Sequence, residues 1–326
     1  MQGKEASEQE AKAKSSVGID VSKDRLEVHV EPSGERLSVS NDRDGIRRLK
    51  RWLKTFDVDL VVIEATGKWH RQLWRSLFAS AVPVAMINPF RARMFAMADG
   101  ILAKTDRLDA MVLARFAANM TPAIRPPPPE AIEALAELVA ARDAAVAEQT
   151  GLKNQLSAAR LPVLRRQLAG RIKRLAGDIA AIEGEISRRI AADEGLERRY
   201  RILTSIPSIG PAVAATLIAC LAELGSLTDK HAAMLAGLAP ISDQSGQHDG
   251  KRVVFGGRAR IRRMLYLAAV SAVRWNPPMG IFYRRLRDAG KPAKLALIAV
   301  ARKMVVLANT LVAKDRMWLP SAPIAS

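Results

Sequence analysis

Cysteine is nearly missing from this sequence. Cys220 is the single one, set within an apolar stretch. That excludes an intrachain disulfide framework and a multi-cysteine zinc site. Histidine is almost as scarce: His29, His70, His231 and His248 are scattered and never approach the His-Glu-x-x-His spacing of a helical zinc site. Long apolar runs are also lacking. The longest, near 211–222 and 295–301, fall short of the roughly 20 residues a bilayer-spanning helix needs, so no membrane partner is expected. Met1 to Ser16 is polar and charged, without the apolar centre of a secretory signal, and a cytoplasmic location is the expectation. Acids are scarce in the last third, where residues 201–326 hold 6 against 18 Lys and Arg.

What is present is positive charge. The 326 residues carry a formal net +18, an excess that points to a polyanionic partner, nucleic acid first. It is uneven: net +5 over residues 1–125, +1 over 126–200 and +12 over 201–326. The last third is therefore the expected phosphate-gripping region. This length allows two or three domains with real cores.

Hydrophobic patterning orders the chain. Val17 to Val21 is apolar and β-prone. Leu26, Val28 and Val30 alternate with polar neighbours, as do Leu37 and Val39, which predicts a three-stranded antiparallel meander. A helix from about Asp44, a buried strand at Leu60 to Ile63 ending on Glu64, a helix at Leu73 to Phe78, a strand at Val82 to Ile87 and two helices to about Met120 follow. This α/β order matches a ribonuclease-H-like domain over 16–125, after a disordered tail at 1–15. Pro126 to Pro129 ends it, because four prolines cannot continue a helix. Beyond them, Leu168, Ile172, Leu175, Ile179, Ile182 and Ile186 are spaced 4, 3, 4, 3, 4, a heptad seam in a helical segment over 126–200 broken near Pro162. The seam fits an intramolecular hairpin or a coiled coil between subunits. From 201 a mainly helical domain follows. Ile206-Pro-Ser-Ile-Gly-Pro211 opens an apolar helix and reads either as a phosphate-contacting hairpin between helices or as a plain turn. A polar loop is expected from Ile241 to Gly250.

Four acids stand out by position. Asp20 lies in the first strand, Glu64 ends the central one, and Asp106 and Asp109, three residues apart, share a helix face. If these elements pack as neighbours the carboxylates converge, and hard divalent cations take such oxygen ligands. Two such ions roughly 4 Å apart can clamp a phosphodiester. Taken singly, each acid also has an ordinary explanation: a solvated strand end, a helix N-cap at Asp106, a favourable helix dipole at Asp109.

Gly-Ile-Asp20-Val-Ser-Lys, Ile-Glu64-Ala-Thr-Gly, Asn-Pro after a strand, Lys-Thr-Asp106-x-x-Asp109-Ala, Ile-Pro-x-Ile-Gly and Gly-Leu-Ala-Pro with a following Ser-Gly occur in that order. Over about 16–310 the chain resembles the insertion-sequence transposases that carry a RuvC-like Asp-Glu-Asp-Asp domain, related to the Piv-type DNA invertases. The resemblance implies a metal tetrad of Asp20, Glu64, Asp106 and Asp109 loaded with Mg2+ or Mn2+. It implies donor and target DNA as substrates, a noncoding guide RNA, assembly as dimers to tetramers, and work on the bacterial nucleoid. A C-terminal-domain serine would attack the phosphodiester. The family pattern sets that serine before a glycine, which selects Ser245 over Ser242. Ser208 stands where the family often has glycine.

A serine hydroxyl is a poor nucleophile without a base or metal to help it. Asp243 and His248 are near in sequence, and the tetrad's metals would reach Ser245 if the two domains meet, which is expected across subunits. Lys251, Arg252, Arg258, Arg260, Arg262 and Arg263 form a run without acids and read as phosphate contacts. Two other functions fit the same residues: a hydrolytic nuclease of the Holliday-junction-resolvase kind using the tetrad alone, and a noncatalytic nucleic-acid-binding protein.

Overall fold

Period-two alternation makes the first strands, β1 (Ser15–Val21), β2 (Arg25–Glu31) and β3 (Arg36–Ser40), and they pair antiparallel in sequence. The apolar runs β4 (Val58–Glu64) and β5 (Val84–Ile87) add to the other side of β1 in parallel, giving the order β3-β2-β1-β4-β5. The computed structural model describes residues 14–65, 67–103, 105–241, 244–245, 248–249 and 253–319. The chain divides into two units, Met1–Pro127 and Pro128–Ser326.

In the first unit both faces of the sheet are covered. Helices α1 (Arg43–Leu53), started by the Asp42 side chain on the Asp44 and Gly45 amides, and α2 (Arg71–Phe78) pack Ile46, Leu49, Leu73 and Leu77 against Val17, Ile19, Val61 and Ile63. Helices α3 (Pro89–Ala98) and α4 (Asp106–Met120) follow β5, and Ala92, Leu113 and Phe116 meet Leu60, Val62 and Ala85 on the opposite face. Successive strand residues alternate between faces. Gly18 and Asp20 of β1, and Glu64 of β4, therefore look toward α4.

The second unit is helical. Helices α5 (Glu130–Ala158) and α6 (Pro162–Ala191) run antiparallel, cross-linked by Arg142–Glu183 at 2.7 Å and Arg171–Glu148 at 3.3 Å. The heptad seam of α6 is its buried to half-buried face, and α5 of the same chain packs against α6. Within the chain the two helices form the hairpin that the seam allows. Leu135, Val139, Ile186 and Ile190 at its base enter one core with α7 (Glu194–Ser205), α8 (Pro211–Cys220), α10 (Ala259–Trp275) and α12 (Ala293–Ala313). The long helical segment thus shares a unit with the C-terminal third. Helices α9 (Asp229–Leu235) and α11 (Pro277–Asp288) complete it. Buried Asn309 of α12 accepts from the Gly225 amide and donates to the Leu227 carbonyl, tying the loop before α9 to the core.

One expectation is extended and one corrected. Taken whole, helix α12 is long and apolar enough to cross a membrane by length and composition, although Arg302 and Lys303 interrupt its apolar run after 301. Its Val300, Met304, Val305 and Leu311 face lies fully buried in the second unit's core, as in the central helix of a globular domain. The polar loop expected from Ile241 is a two-tier ribbon: β6 (Pro240–Ile241) pairs with β9 (Val253–Val254), and within it β7 (Gln244–Ser245) pairs with β8 (His248–Asp249). Backbone pairing replaces the loop because β-prone Ile241 and Val253 face each other in register, with Val254 opposite Pro240.

Candidate active site

Parallel pairing sets Ile19 of β1 against Ile63 of β4, so Asp20 and Glu64 follow side by side on the α4 face of the sheet. Helix α4 comes unusually close. A methyl group at Gly18 would lie 2.0 Å from the Ala110 carbonyl oxygen and 2.2 Å from the Ala114 nitrogen, so only glycine admits the helix backbone here. One turn before that contact, α4 carries Asp106 and Asp109. Thr105 is its N-cap, accepting from the Leu108 amide, so the capping role open to Asp106 belongs to its neighbour. At the other end Arg115 donates to Asp99 at 2.8 Å and contacts Glu31 of β2 at 3.5 Å, fixing α4 along the sheet.

The four carboxylates affect one another. The Asp20 carboxyl is pushed up to about 6, first by burial and then by repulsion from Asp109, Asp106 and Glu64. That accumulation of negative charge on a half-buried oxygen-only donor set suits a hard divalent cation. Among the described residues no three such side chains are drawn together as a finished ligand shell. The donor set is all carboxylate oxygen, the chemistry that Mg2+ or Mn2+ takes.

In the second unit, Ser245 stands in β7, paired in register with His248 of the returning strand. The ribbon is pinched at its root. Gly237 and Gly257 both have positive φ, +65° and +61°, and a side chain on Gly257 would meet the Gly237 nitrogen at 2.2 Å. The Arg258 amide donates to the Leu235 carbonyl at 2.7 Å, and the Arg262 guanidinium donates to the carbonyls of Gly256 at 2.7 Å and Gly237 at 3.3 Å.

This changes the part played by the basic run. Arg258 grips both oxygens of Glu223, at 2.6 and 2.7 Å, and donates to the Cys220 carbonyl; that pairing raises its already high pKa. Arg260 and Arg263 face the Asp143 carboxylate of α5 at 3.0 and 3.6 Å. Arg258, Arg260, Arg262 and Arg263 are thus engaged within the chain. The run carries no acids of its own, and its carboxylate partners, Glu223 and Asp143, come from elsewhere in the fold. Lys251, Arg252, Ser242 and Asp243 lie outside the described residues.

Two family models match the chain, one in each part of it. The family model for the IS110-type DEDD transposases matches residues 17–161, which include all four acids, and the model described as "Transposase IS116/IS110/IS902 family" matches residues 200–284, which include Ser245. The pilin gene-inverting proteins of Moraxella bovis and Moraxella lacunata are each 26% identical to the chain over 315 residues, covering 93% of it and 97% of the relative. The 43.6 kDa protein of insertion element IS110 of Streptomyces coelicolor is 33% identical over 106 residues, 32% of this chain and 26% of that protein. The chain belongs to the IS110 family of transposases, enzymes of DNA recombination.

Proposed function

We propose that the chain breaks and rejoins DNA through a covalent phosphoserine at Ser245, with Asp20, Glu64, Asp106 and Asp109 holding Mg2+ or Mn2+, and that a noncoding RNA selects donor and target sites. The observation that carries this is that three acids, from β4 and α4, lie near enough to Asp20 of β1 to raise its carboxyl pKa, on one face of the first unit. The strand order, with β2 alone reversed, is that of a ribonuclease-H-like sheet, and we take the unit as one. A bound divalent cation would neutralise charge at a scissile phosphate. The protein's own part is to hold the carboxylates on a rigid strand pair and helix, and to present a hydroxyl on a pinned ribbon.

In the first step the Ser245 Oγ–P bond forms, the P–O bond to deoxyribose breaks, and the serine's proton passes to the departing sugar oxygen. Attack by another strand's hydroxyl reverses these changes and restores a diester. The bond energy stays in the phosphoserine, as gene inversion, the activity that names the Moraxella relatives, requires. The guide RNA and assembly as dimers to tetramers are supported by the ordered motifs alone. They are tested by competition between the element's own RNA and unrelated RNA, and by the mass of the DNA-bound protein.

Ser245→Ala should retain DNA binding and lose cleavage, while Ser242→Ala stays near wild type. On nicked substrate the wild type should yield a protein–DNA adduct in the peptide containing Ser245. Cleavage by Ser245→Ala at the wild-type rate, without adduct, would establish the hydrolytic nuclease instead.

A further inference from the structure

A separate group of exposed cations lies on the last two helices. Helices α11 and α12 meet at a corner closed by Arg287, whose guanidinium donates to the Lys291 carbonyl at 2.6 Å. Along these two helices and the turn between them lie Arg284, Arg285, Lys291, Lys294, Arg302 and Lys303, all exposed, with Asp288 the single acid between 284 and 303. Arg285 and Lys303 converge on the same ring, Phe282, at 5.4 and 4.6 Å from its centre. None of the six is ion-paired among the described residues. Other arginines of the same unit are paired: Arg142, Arg171, Arg189, Arg198, Arg201 and Arg258 each meet a carboxylate at 3.3 Å or less. Like charges gathered without counter-charge repel one another, and a polyanion relieves that repulsion while releasing its own counterions.

We propose that the α11–α12 corner is a docking surface for the phosphodiester backbone of duplex DNA. Single-stranded nucleic acid is ordinarily held by stacking its bases on open aromatic faces. The ring at this corner has Arg285 and Lys303 over it, and the exposed Trp275 lies beyond the opposite end of α11. What is offered is positive charge on long side chains over a rigid helical corner, which suits a regular backbone read without sequence. All but Arg284 lie beyond the residues matched by the second family model. The proposal requires neither the metal nor Ser245.

The test is equilibrium binding of the full chain to a random-sequence duplex in EDTA, followed by fluorescence anisotropy across a salt series. The combined variant Arg284→Gln, Arg285→Gln, Lys294→Gln, Arg302→Gln should keep the wild-type melting temperature. It should bind at least about tenfold more weakly at low salt, with a slope of log affinity against log salt shallower by about 3 to 4. Arg171→Gln with Arg189→Gln, which removes paired arginines, should leave affinity within about twofold. Should the combined variant fold poorly, Arg285→Gln and Arg302→Gln singly should each flatten the slope by about 0.9. An unchanged slope in the corner variants, an equal loss in the paired-arginine variant, or a loss confined to a single-stranded RNA probe each overturns the proposal. Ser245→Ala should bind here as wild type does, so failure of the corner leaves the phosphoserine chemistry standing, and the reverse.

Discussion

At the scale of single residues, the first unit trades stability for its acid cluster. The folded chain holds the Asp20 proton more tightly than an unfolded chain does, so the stability Asp20 contributes is complete below about pH 4 and is lost as pH rises through about 6. Metal-free Asp20→Asn should therefore melt above wild type at about pH 8 and level with it at about pH 4. It should also lose strand transfer by at least about a hundredfold. Comparing the two proteins cancels His29, whose burial pushes its pKa down and makes acid destabilising in both. Equal melting at about pH 8 would mean that neither burial nor the neighbouring acids raise the Asp20 carboxyl. Ser208 makes the opposite case in the second unit. It sits at φ +76°, where glycine is at ease, and its hydroxyl is buried without a partner among the described residues. Ser208→Gly should raise stability by about 1 kcal/mol, read as a shift in denaturant midpoint with unchanged slope.

At the scale of elements, the close approach of α4 to β1 decides the geometry of the tetrad. Gly18→Val must displace α4 by more than an ångström, at a cost of about 3 kcal/mol, and should abolish metal-dependent activity although no acid is touched. Normal metal titration of that variant would place the helix elsewhere. The root of the ribbon invites a second test. Arg262→Ala removes the donor to two loop carbonyls, so amides 253–257 should exchange faster and cleavage should fall about tenfold, with duplex binding kept. The sheet was readable from residue patterns because each strand alternates or runs apolar and each turn has its own residues. The acids stood out through their places at strand ends and on one helix face. The partners of the arginines were not readable: Glu223 lies 35 residues before Arg258, and Asp143 is more than a hundred before Arg260. Neither is marked by spacing. The ribbon was hidden for a related reason, since strands of two residues are too short to show a period.

At the scale of the whole molecule, the chain is two bodies with separate cores. Val17, Ile19 and Ile63 anchor one, and Leu203, Leu265 and Met304 the other. The stretch through Pro126 to Pro129 joins them without regular secondary structure. Limited proteolysis should cut near this stretch and leave two folded fragments. Calorimetry of the intact chain should show two transitions rather than one. A single transition, with both fragments unfolded after the cut, would contradict independent cores. The charge follows the same division, since most of the excess lies in the second body and the acid cluster in the first. The isolated C-terminal fragment should therefore keep the steep salt dependence of duplex binding.

The pinch between Gly237 and Gly257 also makes the serine ribbon a replaceable cartridge. The contacts described at its base, the backbone approach of the two glycines and the Arg258 and Arg262 hydrogen bonds, all lie at the seam where it joins the helices. A designer could cut between Ala239 and Phe255, close the gap with a two-residue turn, and so remove the proposed nucleophile, Ser245, while leaving the helices of the second unit intact. The same seam would accept ribbons of other lengths, which makes reach to the phosphate a quantity that can be adjusted.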